Sequence, residues 1–258
     1  MASGGARRPA RDPGRAAGPV RPGPAPGGRV WYAAYASNMC LDRFTCYLAG
    51  GRPPGAARTY PGCRDARPPE RAVPLLLPGQ LYFALESAVW TGGSGFYDPL
   101  DPGEMPARAY LLSAGQFADV AAQEMARPPG ADLDLAGVLA DGRARLGPGR
   151  YETLLRAGWL DGLPVLTLTA PWRRAEAEPT RPAAGYLRQL ARGLREGHGW
   201  SPRRIAGYLA GRPGAAGAWR PADVEALLGP DPRPAPGAPA DGPVVPVRPA
   251  RKIPGRVP

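Results

Sequence analysis

Residues 30–39 read V-W-Y-A-A-Y-A-S-N-M, and this is where a folded domain can begin. Val30 to Tyr35 has strand character, being β-branched, aromatic and small. Ser37 and Asn38 follow as a short polar turn, and an amphipathic segment over 41–49 starts at once, stopped by Gly50-Gly51. In that segment Cys40, Leu41, Phe44 and Leu48 fall near one face. A polar pair between a strand end and a helix start can turn the chain, and it can also offer backbone N–H groups to a ligand.

The flanks of the chain are of another kind. Residues 1–28 and 229–258 are rich in Pro, Gly, Ala and Arg and carry no periodic apolar pattern. Such segments cannot offset the entropy of ordering. The expected organisation is a disordered basic Pro/Gly/Arg-rich tail over 1–28, one domain over 29–228 and a disordered Pro-rich tail over 229–258. With 258 residues, 43% of them hydrophobic, the chain can bury one sizeable core.

A net charge of +11 invites a polyanion, but +4 of it lies in residues 1–28 and +3 in 229–258, leaving +4 on the domain. The chain has 32 Arg and one Lys beside 36 Gly and 36 Pro. All four favoured residue types, Arg, Gly, Pro and Ala, have G+C-rich codons, so coding bias accounts for the basic balance. Specific nucleic-acid recognition is not expected, and salt-sensitive binding by the tails is the weaker reading. No run approaches the ~20 apolar residues of a membrane span, and the N-terminus lacks the apolar core of a secretory signal. Cys40, Cys46 and Cys63 are odd in number and form no Cys-x-x-Cys pair. A reduced, cytoplasmic protein whose thiols are small buried hydrophobes is the expectation.

Along the domain, 52–78 reads as a long ordered loop with one short strand near 73–77, and 79–85 as a strand. Residues 86–98 read as a glycine-rich loop, either a turn between strands or a place where backbone approaches a ligand. A strand over 107–112 runs into S-A-G-Q at 113–116, a capping box opening a helix over 114–125. A surface helix over 132–146, strands over 151–156 and 163–169, and helices over 184–196, 202–210 and 221–228 complete the reading.

Helix 114–125 carries the most informative residue. At about 100° per residue, Val120, Ala121 and Glu124 gather around Phe117, while Asp119 and Gln123 fall on the opposite side. A carboxylate within an apolar stripe is costly to bury, so its pKa should rise and make it a proton acceptor or donor near neutral pH. The same residue also reads as a helix-end glutamate that reaches solvent or pairs with an arginine. Other chemistries find little support. His198 is the single histidine and sits in a glycine-flanked turn, where an exposed helix terminus is expected. A histidine-dependent hydrolase, a zinc-dependent deacetylase or protease and a P-loop all lack their residues. No metal and no cofactor are expected.

These pieces, in order, resemble the gamma-glutamylcyclotransferase-like family over about residues 30–210. That family has a strand ending in Tyr-Gly-Ser-Asn-(Leu/Met), matched by Tyr35-Ala36-Ser37-Asn38-Met39 with Ala36 as the one departure. Its proposed catalytic glutamate follows a glutamine late in a short helix, the place of Gln123-Glu124. Its late Pro-x-x-x-Tyr-Leu helix is similar to Pro182 through Leu187, with Gly193 downstream. The resemblance implies an α+β fold, a small mixed β-barrel or curved sheet flanked by helices. It implies cofactor-independent, intramolecular aminolysis of a small gamma-glutamyl amide, releasing 5-oxoproline and an amine. Glu124 would be the general base and acid, and Tyr35, Ala36, Ser37, Asn38 and Met39 the substrate cradle. If the family glycine uses positive φ or admits substrate closely, Ala36 disturbs that cradle. A non-catalytic member that binds a small acyl or amino-acid ligand, or acts as an interaction module, is the alternative.

Overall fold

The computed structural model describes residues 28–53, 58–87, 89–229 and the pair 245–246. Strand β1 (Arg29–Ala34) is buried from its second residue onward, so both its edges and both its faces have to be covered. It pairs antiparallel with β5 (Glu104–Ser113) and parallel with β8 (Leu163–Thr169). Beyond β5 lies β2 (Arg71–Pro78), antiparallel, and then β9 (Val245–Pro246), parallel. Beyond β8 lie β7 (Thr153–Leu160) and β6 (Arg143–Arg145), both antiparallel. The resulting order is β6-β7-β8-β1-β5-β2-β9.

A hairpin of β3 (Gln80–Glu86) and β4 (Gly93–Asp98) forms a second, two-stranded sheet. Thr169 ties it to β8, its hydroxyl accepting from Tyr97 N at 3.0 Å and donating to Tyr97 O at 2.7 Å. Helices α1 (Leu41–Ala49), α2 (Ala114–Glu124), α3 (Ala136–Asp141), α4 (Ala184–His198), α5 (Pro202–Ala210) and α6 (Pro221–Leu228) flank the strands. The fold is α+β, a mixed sheet with flanking helices, and the sheet is open and not closed into a barrel. None of the described helices is long and apolar enough to cross a membrane. The tails expected at 1–28 and 229–258 lie outside the described residues, save for Gly28, Gly229 and β9.

Several local expectations are corrected. Residues 93–98 form a buried strand, not loop, and glycine there makes room for neighbours. A Cβ at Gly93 would collide with Thr180 O, and one at Gly95 would lie 2.8 Å from Tyr186 Oη. The helix expected over 132–146 is short, because Gly142 takes a left-handed φ of 79° and hands the chain to β6. Leu41 faces outward, and α1 buries Arg43, Phe44, Tyr47 and Leu48. His198 is buried, not exposed: left-handed Gly199 folds Trp200 back beside the imidazole, whose Nε2 lies 2.9 Å from Ala107 O. Burial pushes the His198 pKa below its ordinary value, which keeps the ring neutral. Asp119 and Gln123 are also buried, because the segment after α1 crosses the far side of α2. Arg64 binds Asp119 there, and Gln123 Nε2 donates to Tyr47 O at 3.0 Å.

Beneath the turn after β1, Phe44 stacks on Tyr110 at 4.2 Å and meets Tyr32 at 5.5 Å. Above the turn runs α4. Gly193 faces it so closely that a Cβ would collide with Met39 Cβ and lie 2.9 Å from Cys40 N. Gly193→Ala is therefore expected to lower unfolding stability by about 1–3 kcal/mol, the range of overpacked sites, and urea unfolding measures it. An unchanged midpoint would show that the turn yields to α4 freely.

Candidate active site

The 3-10 turn Ser37–Met39 is held from two sides. Met39 N donates to Ala36 O at 3.0 Å, closing the turn. From β5, Tyr110 Oη lies 2.9 and 3.0 Å from the carbonyls of Asn38 and Met39, and Arg108 Nη1 donates to Met39 O at 3.1 Å. Main-chain oxygens are thereby committed to the strand, and the Asn38 side chain is left to point toward α2. Helix α2 starts at the Ser113 capping box, in which Gln116 N donates to Ser113 Oγ at 3.1 Å and Ser113 N to Gln116 Oε1 at 3.1 Å. Eleven residues after Ser113 its last turn delivers Glu124 to the same place. Asn38 Nδ2 donates to Glu124 Oε1 at 2.6 Å across 86 residues of sequence.

These two residues sit in the wall of a cavity of about 140 Å³. Tyr35, Ala36 and Ser37 line it as well, whereas Met39 does not. Met39 is 1% exposed and packs beneath α4. Ala36 has a φ of −121°, so its backbone asks for no glycine. What the alanine adds is a methyl group at the cavity wall. Tyr35 is tied down by its hydroxyl, which donates to Leu168 O at 2.9 Å.

The rest of the lining comes mostly from residues that pattern reading left aside. Arg43 and Tyr47, one turn apart on α1, line the cavity with Tyr60, Trp90, Tyr151 and Tyr186. Arg43 is 5% exposed. Its Nη2 donates to Tyr60 Oη at 2.8 Å, and its guanidinium carbon lies 5.4–5.8 Å from the ring centres of Tyr47, Tyr60 and Trp90. A basic residue one position before Phe44, the centre of the buried stripe, was the available signal for it. Tyr186, part of the Pro-x-x-x-Tyr-Leu run, accepts from Gly95 N at 3.1 Å, which leaves its own proton free to donate.

Glu124 is only partly exposed, and burial pushes its pKa above the ordinary glutamate value against the pull of Arg43, Tyr47, Arg58 and Asn38. Burial works against the charge of Arg43 too, but Tyr47, Tyr60 and Glu124 outweigh it and raise its pKa. Tyr32, Tyr47 and Tyr151 are pushed well above their ordinary values by burial, so they stay protonated and serve as donors. Among the described residues Arg43 and Glu124 form no ion pair with each other or with any other charge. The cavity therefore combines a carboxyl able to take up and release a proton with a fixed positive charge. No described group of three His, Cys, Asp or Glu could hold a metal ion.

No family model matches the chain. It is 32% identical over 200 residues to Histone deacetylase 5 of Arabidopsis thaliana, a match covering 70% of this chain and 30% of that protein. The name describes the larger protein, of which this chain spans less than a third. Among solved structures, one described as gamma-glutamyl cyclotransferase is 14% identical with a TM-score of 0.42, the match covering 78% of this chain and 98% of that one. An uncharacterised Homo sapiens protein is 16% identical with a TM-score of 0.41 and the same coverage. Likenesses of this size leave activity and substrate to be argued from the cavity itself.

A carboxyl whose folded pKa is raised holds a proton that the unfolded chain releases. Its stabilising contribution is complete below the unfolded pKa and is lost as pH rises through the folded one. Glu124→Gln is thus expected to unfold at higher urea than wild type at pH 8. The gap should close below the ordinary glutamate range, about 4.3. Equal gaps at pH 4 and pH 8 would mean that Glu124 does not titrate in this way.

Proposed function

We propose that the protein is a cofactor-independent cyclotransferase acting on a small gamma-glutamyl amide, with Glu124 moving the protons. The observation that carries this reading is the hydrogen bond from Asn38 to Glu124, which brings the Y-A-S-N turn and the Q-E pair into one cavity wall. In the reaction the substrate α-nitrogen attacks its own γ-carbonyl carbon. A C–N bond forms to close the five-membered lactam, and the original amide C–N bond breaks. The α-ammonium gives up two protons, one before attack and one after, and both finish on the departing nitrogen as an ammonium product. Glu124 relays them as base and then acid, a task for which a carboxyl pKa raised toward neutrality is suited.

The rest of the wall agrees with this use. The Ser37 and Asn38 amides have no protein acceptor among the described residues, so they are available to oxygen that becomes negative during attack. Tyr186, in the same lining, can donate a proton as well. A cavity of about 140 Å³ suits one glutamyl group and leaves the departing amine at the mouth. In the alternative reading, a non-catalytic binder, the same wall would hold an amino-acid or acyl ligand without turnover. The feature that favours it is the Ala36 methyl at the cavity wall.

Incubation with a panel of gamma-glutamyl amines, followed by mass detection of 5-oxoproline, separates the two. Wild type is expected to release 5-oxoproline, and Glu124→Gln to be slower by about 10²–10⁴-fold, the usual worth of a positioned general base, with its circular dichroism unchanged. Saturable binding with no product would favour the binder. An undiminished Glu124→Gln would remove Glu124 from the mechanism.

A further inference from the structure

We propose that Arg43 selects and orients the ligand by binding its α-carboxylate, so that the cavity recognises an amino-acid head as a zwitterion between Arg43 and Glu124. Resting on the cyclotransferase reading, this names the residue that decides which end of the substrate enters.

A buried guanidinium is expensive to leave unpaired, and proteins rarely do so without a reason. Arg43 is 5% exposed, yet among the described residues its Nε and Nη1 have no hydrogen-bond partner. Only Nη2 is anchored, by Tyr60. The rings of Tyr47, Tyr60 and Trp90 hold the cation in position but accept no hydrogen bond in the plane of the guanidinium, where its donors point. Two acceptors in the same wall are also buried and unmet, Asn38 Oδ1 and Gln123 Oε1. Unused donors on a fixed cation and unused acceptors beside a carboxyl, all lining one cavity, form the complement of a carboxylate and an amino group on one carbon. A neutral or purely cationic ligand would leave Arg43 unmet, and a simple anion would leave Asn38, Gln123 and Glu124 unmet. Arginine is suited to the task because it stays charged when desolvated and forms directional, charge-assisted bonds to carboxylate.

The test compares 5-oxoproline with its carboxamide by calorimetry on the full chain, in wild type, Arg43→Gln and Arg43→Lys. Wild type is expected to prefer the acid by about ten- to hundredfold, the worth of charge-assisted hydrogen bonds. Arg43→Gln should bind both alike, and Arg43→Lys should keep part of the preference. With an active substrate, KM should rise in Arg43→Gln by a similar factor while kcat changes less. Acetate against acetamide examines the anion contact apart from any cyclotransferase activity. An acetate preference that disappears in Arg43→Gln supports the inference even where no gamma-glutamyl amide is turned over. A wild type indifferent to the carboxylate in both pairs overturns it even where 5-oxoproline is released. A preference that survives in folded Arg43→Gln overturns it as well.

Discussion

The site depends on one hydrogen bond, from Asn38 Nδ2 to Glu124 Oε1, 2.6 Å long and joining residues on separate elements. Each end is delivered by a different device. Asn38 reaches the bond because β1 ends beside β5, whose Tyr110 and Arg108 take the main-chain oxygens of the turn. Glu124 reaches it because the Ser113 capping box fixes where α2 starts, and eleven helical residues then fix where it ends. A register shift in β1 or a slip of one residue in α2 would separate the pair.

Around that bond the protein keeps opposite charges close without letting them meet. Arg43 is caged by three aromatic rings, and Glu124 is held by an asparagine amide, not by a cation. Had the two paired directly, the carboxyl would have been driven down in pKa and the cation occupied. Kept apart, the carboxyl stays protonable and the guanidinium stays available. The turn that carries Asn38 is packed closely on both sides, by α4 at Gly193 and by the stacked Phe44 and Tyr110.

Much of this was legible in the chain. The strand, turn and helix at 30–49 could be read because their periodicities change sharply, and α2 because its capping box is local. Glu124 was visible as a carboxylate inside an apolar stripe. Buried polar residues on the other helix faces were not. Asp119, Gln123 and His198 look like surface residues in a helical projection, and they are buried only because segments distant in sequence cross over them. Arg43 was hidden for a similar reason: its cage draws on Tyr60 and Trp90, from outside α1, and its place beside Phe44 was the one local signal. Strand β4 was missed because its glycines signal a turn, while their cause is the close approach of Thr180 and Tyr186.

The titration of Glu124 itself tests this account most directly. In protein labelled with ¹³C at glutamate carboxyls, one signal should be missing from Glu124→Gln, which assigns it. The account predicts that this signal moves with a midpoint above the ordinary glutamate range, about 4.3, as burial that outweighs the pull of Arg43 requires. A midpoint at or below that range would mean that Glu124 is solvated or ion-paired, and would contradict the account.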